Sequence, residues 1–195
     1  MLKFREKVAY GLGDTASNIV FQTVMLYLAF FYTDVFGISP VFVGTMFLAV
    51  RIIDAITDPL MGAIADRTQT KYGKFRPYLL WFALPFGLIS VLAFTTPDFT
   101  ETGKMWYAFL TYTALMMVYT AINIPYCALG GVLTADPKER VSVQSVRFVF
   151  AMLGGLMVTA LTGTLVDYFG QGDKAKGYQL AILAMSVLGV LMFLA

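Results

Sequence analysis

Arg51, Asp54 and Asp58 lie inside VGTMFLAVRIIDAITDPLMGAIA, residues 43–65, an otherwise apolar run. At i, i+3 and i+7 they share one side of a helix. An ionised side chain in hydrocarbon costs from a few kcal/mol to about 10 or more. Three on one helix therefore read as an ion or proton site facing a protein interior. The alternative is a static buried ion pair between helices. One arginine leaves one of the two carboxylates uncompensated, and a mobile cation or a proton supplies the missing charge. Thr57 adds a hydroxyl ligand. Pro59 removes a backbone donor, which either frees a carbonyl as a further oxygen ligand or kinks the helix.

Three other apolar segments carry polar side chains at helical spacing. Asp14, Asn18 and Gln22 recur at i, i+4 and i+8. Asn18 is expected to line a cavity, whereas Asp14 lies nearer the end of its helix and is expected to face water. Tyr119 and Asn123 share a face one turn apart, with Thr120 beside them and Pro125 just beyond. Hydroxyl and amide groups next to an aromatic face suit a sugar, with its hydroxyls on one side and its C–H surface on the other. Tyr112 and Tyr126 face differently and are expected to pack. Gln144 and Arg147 enter a fourth apolar run, where Arg147 either reaches a substrate or an aspartate, or snorkels to the surface. Gly154 and Gly155 suit close helix packing. Gly62, Asp66 and Arg67 read as a latch at a helix end, against the plainer reading of a loop held inside by its basic residues.

These residues require membrane helices to position them. Of 195 residues, 58% are hydrophobic and 13% charged, against about 25% charged in ordinary soluble domains. Six stretches approach the roughly 20 apolar residues of a span: 8–33, 41–65, 77–96, 104–128, 143–168 and 177–195. The expected class is an all-α polytopic membrane protein. Lys and Arg in the loops orient it: Lys3, Arg5, Lys7, Arg67, Lys71, Lys74, Arg76, Lys138 and Arg140 fall on one side, and Lys104, Lys174 and Lys176 on the other. That places the N-terminus in the cytoplasm. Helices 1–3 and 4–6 are candidates for an inverted pair. The last apolar run stops at Ala195 without a polar exit, so the expectation is a chain ending within its sixth helix. The single cysteine, Cys127, and the absence of histidine exclude an internal disulfide, a cysteine metal cage and histidine chemistry. No basic cluster suggests nucleic acid, and residues 1–18 do not form a signal peptide.

Several motifs then carry a resemblance. Gly62-x3-Asp66-Arg67 resembles the loop motif of the major facilitator superfamily. AVRIIDAITDPLMG (49–62) resembles the glycoside–pentoside–hexuronide:cation symporters of that superfamily, as do YGLGD (10–14), YTDVFG (32–37), YGKFRPYLLW (72–81) and NIPYCALGG (123–131). The resemblance implies that residues 1–195 are the N-terminal six-helix half of a twelve-helix inner-membrane symporter, with a second six-helix half as partner. It implies Asp54 and Asp58 as cation ligands, with Arg51 accompanying them, and H⁺, Na⁺ or Li⁺ as the coupling ion without any resident cofactor. In the melibiose permease of the family, the sugar-binding aspartates fall on Asn18 and Asn123, and a tryptophan falls on Cys127. The cation positions are thus kept while the sugar positions differ. This favours a xyloside, glucuronide or related substrate over a galactoside, bound between Asn18, Tyr119, Thr120, Asn123, Arg147 and Arg51. The competing readings are a cation-coupled lysolipid transporter of the same superfamily and a non-transporting membrane sensor. No enzyme chemistry is expected.

Overall fold

The computed structural model describes residues 2–194; Ala195, at the end of the sixth expected span, lies outside them. Six long helical elements follow one another: α1 (Phe4–Thr23), α2 (Pro40–Arg67), α3 (Arg76–Ala93), α4 (Glu101–Val132), α5 (Pro137–Gly170) and α6 (Lys174–Leu194). Helix 1 does not end at Thr23. It continues through two π-helical turns, Val24–Leu28 and Phe31–Val35, and stops where Gly37 takes φ +76°.

Most of the elements overrun the expected spans at their polar ends. Local capping explains this. Pro40 and Pro137 occupy first-turn positions, where a missing N–H costs nothing. The Asp136 carboxylate accepts from the Lys138 amide at 2.9 Å, and the Thr100 hydroxyl accepts from the Gly103 amide at 3.3 Å. Helix α5 therefore begins at Pro137 rather than 143, and α4 at Glu101 rather than 104. Gly62 does not terminate α2, which runs through it to Arg67.

Helices α2 to α6 are long and apolar enough to cross a membrane. Helix α1 is more polar, carrying Arg5, Glu6, Lys7, Asp14, Asn18 and Gln22. It packs on α5 and α6, and most of residues 10–20 are buried, so protein replaces lipid around Asp14, the charged residue in its middle. The outward surface is hydrocarbon-like. On α2, Leu48, Ile52, Ile56, Leu60 and Ile64 recur every fourth residue and are all more than half exposed. A continuous apolar stripe of that kind is stable against lipid and not against water.

The helix pairing has a near-symmetric pattern. Helix α1 packs on α5 and α6, α4 packs on α2 and α3, and α3 packs on α6. Exchanging helices 1–3 with 4–6 preserves these pairs, as an inverted repeat requires. The symmetry is incomplete, because α5 packs on α6 while α2 makes no comparable contact with α3. Two devices tie α1 to its neighbours. A Cβ at Gly154 would stand 3.0 Å from the Thr15 carbonyl oxygen and 3.1 Å from the Asn18 Cβ, so a glycine there lets α1 and α5 approach closely. Tyr10 and Tyr126 stack at 4.6 Å, and each hydroxyl donates to the other's backbone carbonyl. Tyr126→Phe removes one of these buried bonds while keeping the stack. The expected cost is about 1 kcal/mol, read as a lower unfolding midpoint in detergent with the substrate affinity unchanged.

Candidate functional site

The buried stripe of α2 reads Val43, Met46, Val50, Asp54, Met61 and Ala65. Asp54 is the charged member of this stripe, and the stripe packs on α4. Its Oδ2 receives Arg51 Nη1 at 3.5 Å. Its Oδ1 is buried and has no hydrogen-bond partner. A buried carboxylate oxygen left bare is costly, and the cost is relieved by a proton or a cation. Arg51 offsets it only weakly, since 49% of the arginine side chain stays exposed and its other contact is Nη2 to the Met25 sulfur at 3.8 Å.

Asp58, one turn on, is held from α4: the Thr120 hydroxyl donates to its Oδ1 at 2.8 Å. Thr120, expected on the sugar side, thus belongs to the carboxylate pair. Thr57, expected as a cation ligand, instead turns its hydroxyl to its own helix and donates to the Asp54 backbone carbonyl at 3.4 Å. Sequence position alone cannot separate these threonines, because the choice depends on which helix faces the carboxylates. Among the described residues no group of three or more His, Cys, Asp or Glu side chains converges. Two carboxylates with one hydroxyl, and no nitrogen or sulfur ligand, form a hard-oxygen set that matches an alkali cation or a proton. Thr120→Val removes the hydroxyl and keeps the side-chain shape. The half-saturating cation concentration should rise roughly tenfold, about 1.4 kcal/mol for one charge-assisted hydrogen bond or ligand, with the sugar affinity at saturating cation little changed.

A second cluster lies between α1, α4 and α5. Arg147 does not snorkel. Its Nε donates to Asp14 Oδ2 at 3.0 Å, its Nη1 to Gln144 Oε1 at 3.4 Å and its Nη2 to Cys127 Sγ at 3.5 Å, while the guanidinium sits 5.3 Å from the Tyr126 ring centroid. Asp14, expected to face water, is only 5% exposed, and it is the residue that sequence reasoning most undervalued. Its partner is 133 positions away; the available signal was a lone basic residue on a facing helix. Asn123 joins the cluster through the Cys127 thiol, 3.8 Å from its Oδ1. Tyr119 stacks on Phe21 of α1 at 5.0 Å. Tyr112 and Tyr126 are buried.

Asn18 is not drawn into either cluster. Its amide donates to the Asp14 backbone carbonyl at 2.9 Å, and it lies in a shallow, open groove between α1 and α5 with Gln22, Gly155 and Thr159. Asp66 and Arg67 are exposed and take part in neither of the two ion pairs found among the described residues. A latch partner for them is therefore absent from these residues. Helix α4 spans the two clusters: Thr120 reaches the α2 carboxylates, and Cys127, two turns on, reaches the α5 arginine.

A family model described as MFS/sugar transport protein matches residues 9–195. The chain is 55% identical over 192 residues to the inner membrane symporter YicJ of Escherichia coli (strain K12), an alignment covering 98% of this chain and 42% of that protein. It is 51% identical to the putative glycoside/cation symporter YagG of the same organism, over 98% of this chain and 42% of the relative. It is 42% identical to the isoprimeverose transporter of Lactiplantibacillus pentosus, over 99% of this chain and 41% of the relative. The chain thus spans about two fifths of the length of these relatives. Its six-helix all-α architecture corresponds to one half of a major facilitator fold, and the chain belongs to the MFS/sugar transport protein family.

Proposed function

We propose that this chain is the N-terminal six-helix half of an inner-membrane symporter that carries a small glycoside, pentoside or hexuronide together with H⁺, Na⁺ or Li⁺. The observation that carries the reading is the bare, buried Oδ1 of Asp54 beside the Thr120-held carboxylate of Asp58. A mobile cation or proton completes that pair. The sugar occupies the face of Asn123, Cys127, Arg147 and Tyr119, opposite the second half. Relatives named "Putative glycoside/cation symporter YagG" and "Isoprimeverose transporter" support a sugar as the cargo. Cargo and ion cooperate because each stabilises the same occluded state, and the coupling is reciprocal. Helix α4, touching both clusters, is the element through which one site senses the other. No covalent step is involved, so the protein is a transporter rather than an enzyme.

The N-terminus lies in the cytoplasm, in keeping with the basic residues of the N-terminal segment and of the α2–α3 and α4–α5 loops. Asp66 and Arg67 close a cytoplasmic latch against the second half. Full-length protein in lightly buffered cells tests the reading. Xylosides, glucuronides and galactosides are added with and without Na⁺ while external pH is recorded. Alkalinisation after one sugar in the absence of Na⁺ establishes proton symport. Uptake that requires Na⁺ and moves no protons assigns Asp54 and Asp58 to a metal cation. Silence across the panel defeats the sugar reading.

A further inference from the structure

Away from both clusters, hydroxyls from three helices meet at one small cavity. Thr23 of α1, Ser90 of α3 and Ser186 of α6 line it, between apolar walls that include Phe94 and Met185. Every residue lining it is buried, so neither bulk water nor lipid touches it. Its volume is ≈ 10 Å³, room for about one water-sized sphere. A sugar, a lipid chain or a hydrated ion is too large.

The hydrogen inventory defines the occupant. The Thr23 hydroxyl donates to the Ile19 carbonyl at 2.7 Å, and the Ser90 hydroxyl donates to the Phe86 carbonyl. Each has used its single hydrogen and has only lone pairs left. Ser186 differs. It is 3% exposed, and its Oγ has no hydrogen-bond partner, not even the carbonyl four residues back that the other two use. It still has a hydrogen to give. A buried hydroxyl in that state is costly within a bilayer, where no solvent stands in for the missing partner. The complementary ligand gives two hydrogens and takes one. A bare alkali cation has none to give, and the cavity offers it no carboxylate. Cavities that stay empty have apolar walls, which this one does not.

We propose that this cavity is the binding site of a single ordered water, which donates to Thr23 Oγ1 and Ser90 Oγ and accepts from Ser186 Oγ. The water fastens a helix junction that packing has already formed, since α6 packs on both α1 and α3. Direct side-chain bonding does not serve there. The side-chain bond found near it, Gln179 to Thr95 at 3.1 Å, lies past the end of α3. A Cβ on Gly87, one turn before Ser90, would stand 2.8 Å from the Val190 side chain and 3.7 Å from the Ser186 Cβ. At that approach α3 and α6 leave room for short hydroxyls and a water, and not for a longer polar side chain. The inference is independent of the cargo, because none of the three hydroxyls belongs to the carboxylate pair or to the Arg147 cluster.

The test uses full-length protein in detergent. Microsecond X-ray pulses convert bound water to hydroxyl radicals, which oxidise the side chains beside them, and mass spectrometry reads the peptides carrying Phe94 and Met185. These residues are 1% and 6% exposed, so radicals from bulk water do not reach them. Wild type should be oxidised at both. Ser186→Val fills the cavity without a hydroxyl, and oxidation of Phe94 should fall at least about fivefold. Ser186→Ala enlarges the cavity and keeps both acceptors, so the water stays and the fall should be less than about twofold. Equal oxidation of Phe94 in wild type and Ser186→Val overturns the proposal. A high-resolution map of the wild-type protein decides the matter independently of any variant. A peak roughly 2.5–3.0 Å from all three hydroxyl oxygens sustains the water site. No peak, Ser186 bonded to its own Ile182 carbonyl, or a peak that requires Na⁺ in the buffer overturns it.

Discussion

Asp54→Asn should abolish cation-coupled accumulation while leaving the protein at least as stable as wild type. The two effects have opposite signs for one reason. The Oδ1 of Asp54 is buried without a partner, so the ionised carboxylate is a liability to the fold unless something positive joins it. An amide of the same shape carries no charge to desolvate and relieves that liability. It also removes the anionic ligand around which a cation or proton is held. The cation affinity should fall at least a hundredfold, about 2.7 kcal/mol, and uphill transport should drop to the level of cells lacking the protein. Arg51 loses its carboxylate in this variant, and half of its side chain is already outside the helix packing. The measurements are sugar accumulation against a cation gradient and the unfolding midpoint in detergent. Retained cation-dependent accumulation would refute the site. Lost transport accompanied by lost folding would make Asp54 a structural residue instead.

The second large effect is on stability. Arg147→Gln should destabilise the protein by about 3 kcal/mol, the lower end of the range for breaking a buried pair from one side. The lower end applies because the arginine retains 18% side-chain exposure. The penalty comes from Asp14, which is left ionised in a position 5% exposed overall. Neutralising it should therefore rescue the loss: Asp14→Asn/Arg147→Gln should be markedly more stable than Arg147→Gln alone. The interaction energy of the double-mutant cycle isolates the pair. Arg147→Lys keeps the charge but loses the planar fork that reaches Gln144 and Cys127 together, so it should preserve stability better than substrate affinity. Equal stability of Arg147→Gln and wild type would show that the contact contributes nothing net.

The same pair marks where reading along the chain stops being sufficient. Helical periodicity states which residues of one helix share a face, and for α2 that was enough. Arg51, Asp54 and Asp58 were legible as a charged stripe opposite Leu48, Ile52, Ile56, Leu60 and Ile64. Periodicity does not state which helices meet. Asp14 looked peripheral because its partner on α5 is 133 residues away, and Thr120 looked like a sugar ligand because Asp58 is 62 residues away.

By itself the sequence determined the class of the protein, the succession of six helices and the motifs of its family, because hydrocarbon burial and helix geometry act locally, on windows of about twenty residues. It also placed Asp54 and Asp58 together, since one helical turn separates them. The tertiary structure decided the rest: Thr120 rather than Thr57 hydrogen-bonded to a carboxylate, Asn18 turned to the α1–α5 groove, and Asp14 locked to Arg147. Each of these depends on a contact between helices. In a bilayer such contacts are selected by close packing at small residues such as Gly154 and by the need to satisfy every buried polar atom. No single helix carries that information.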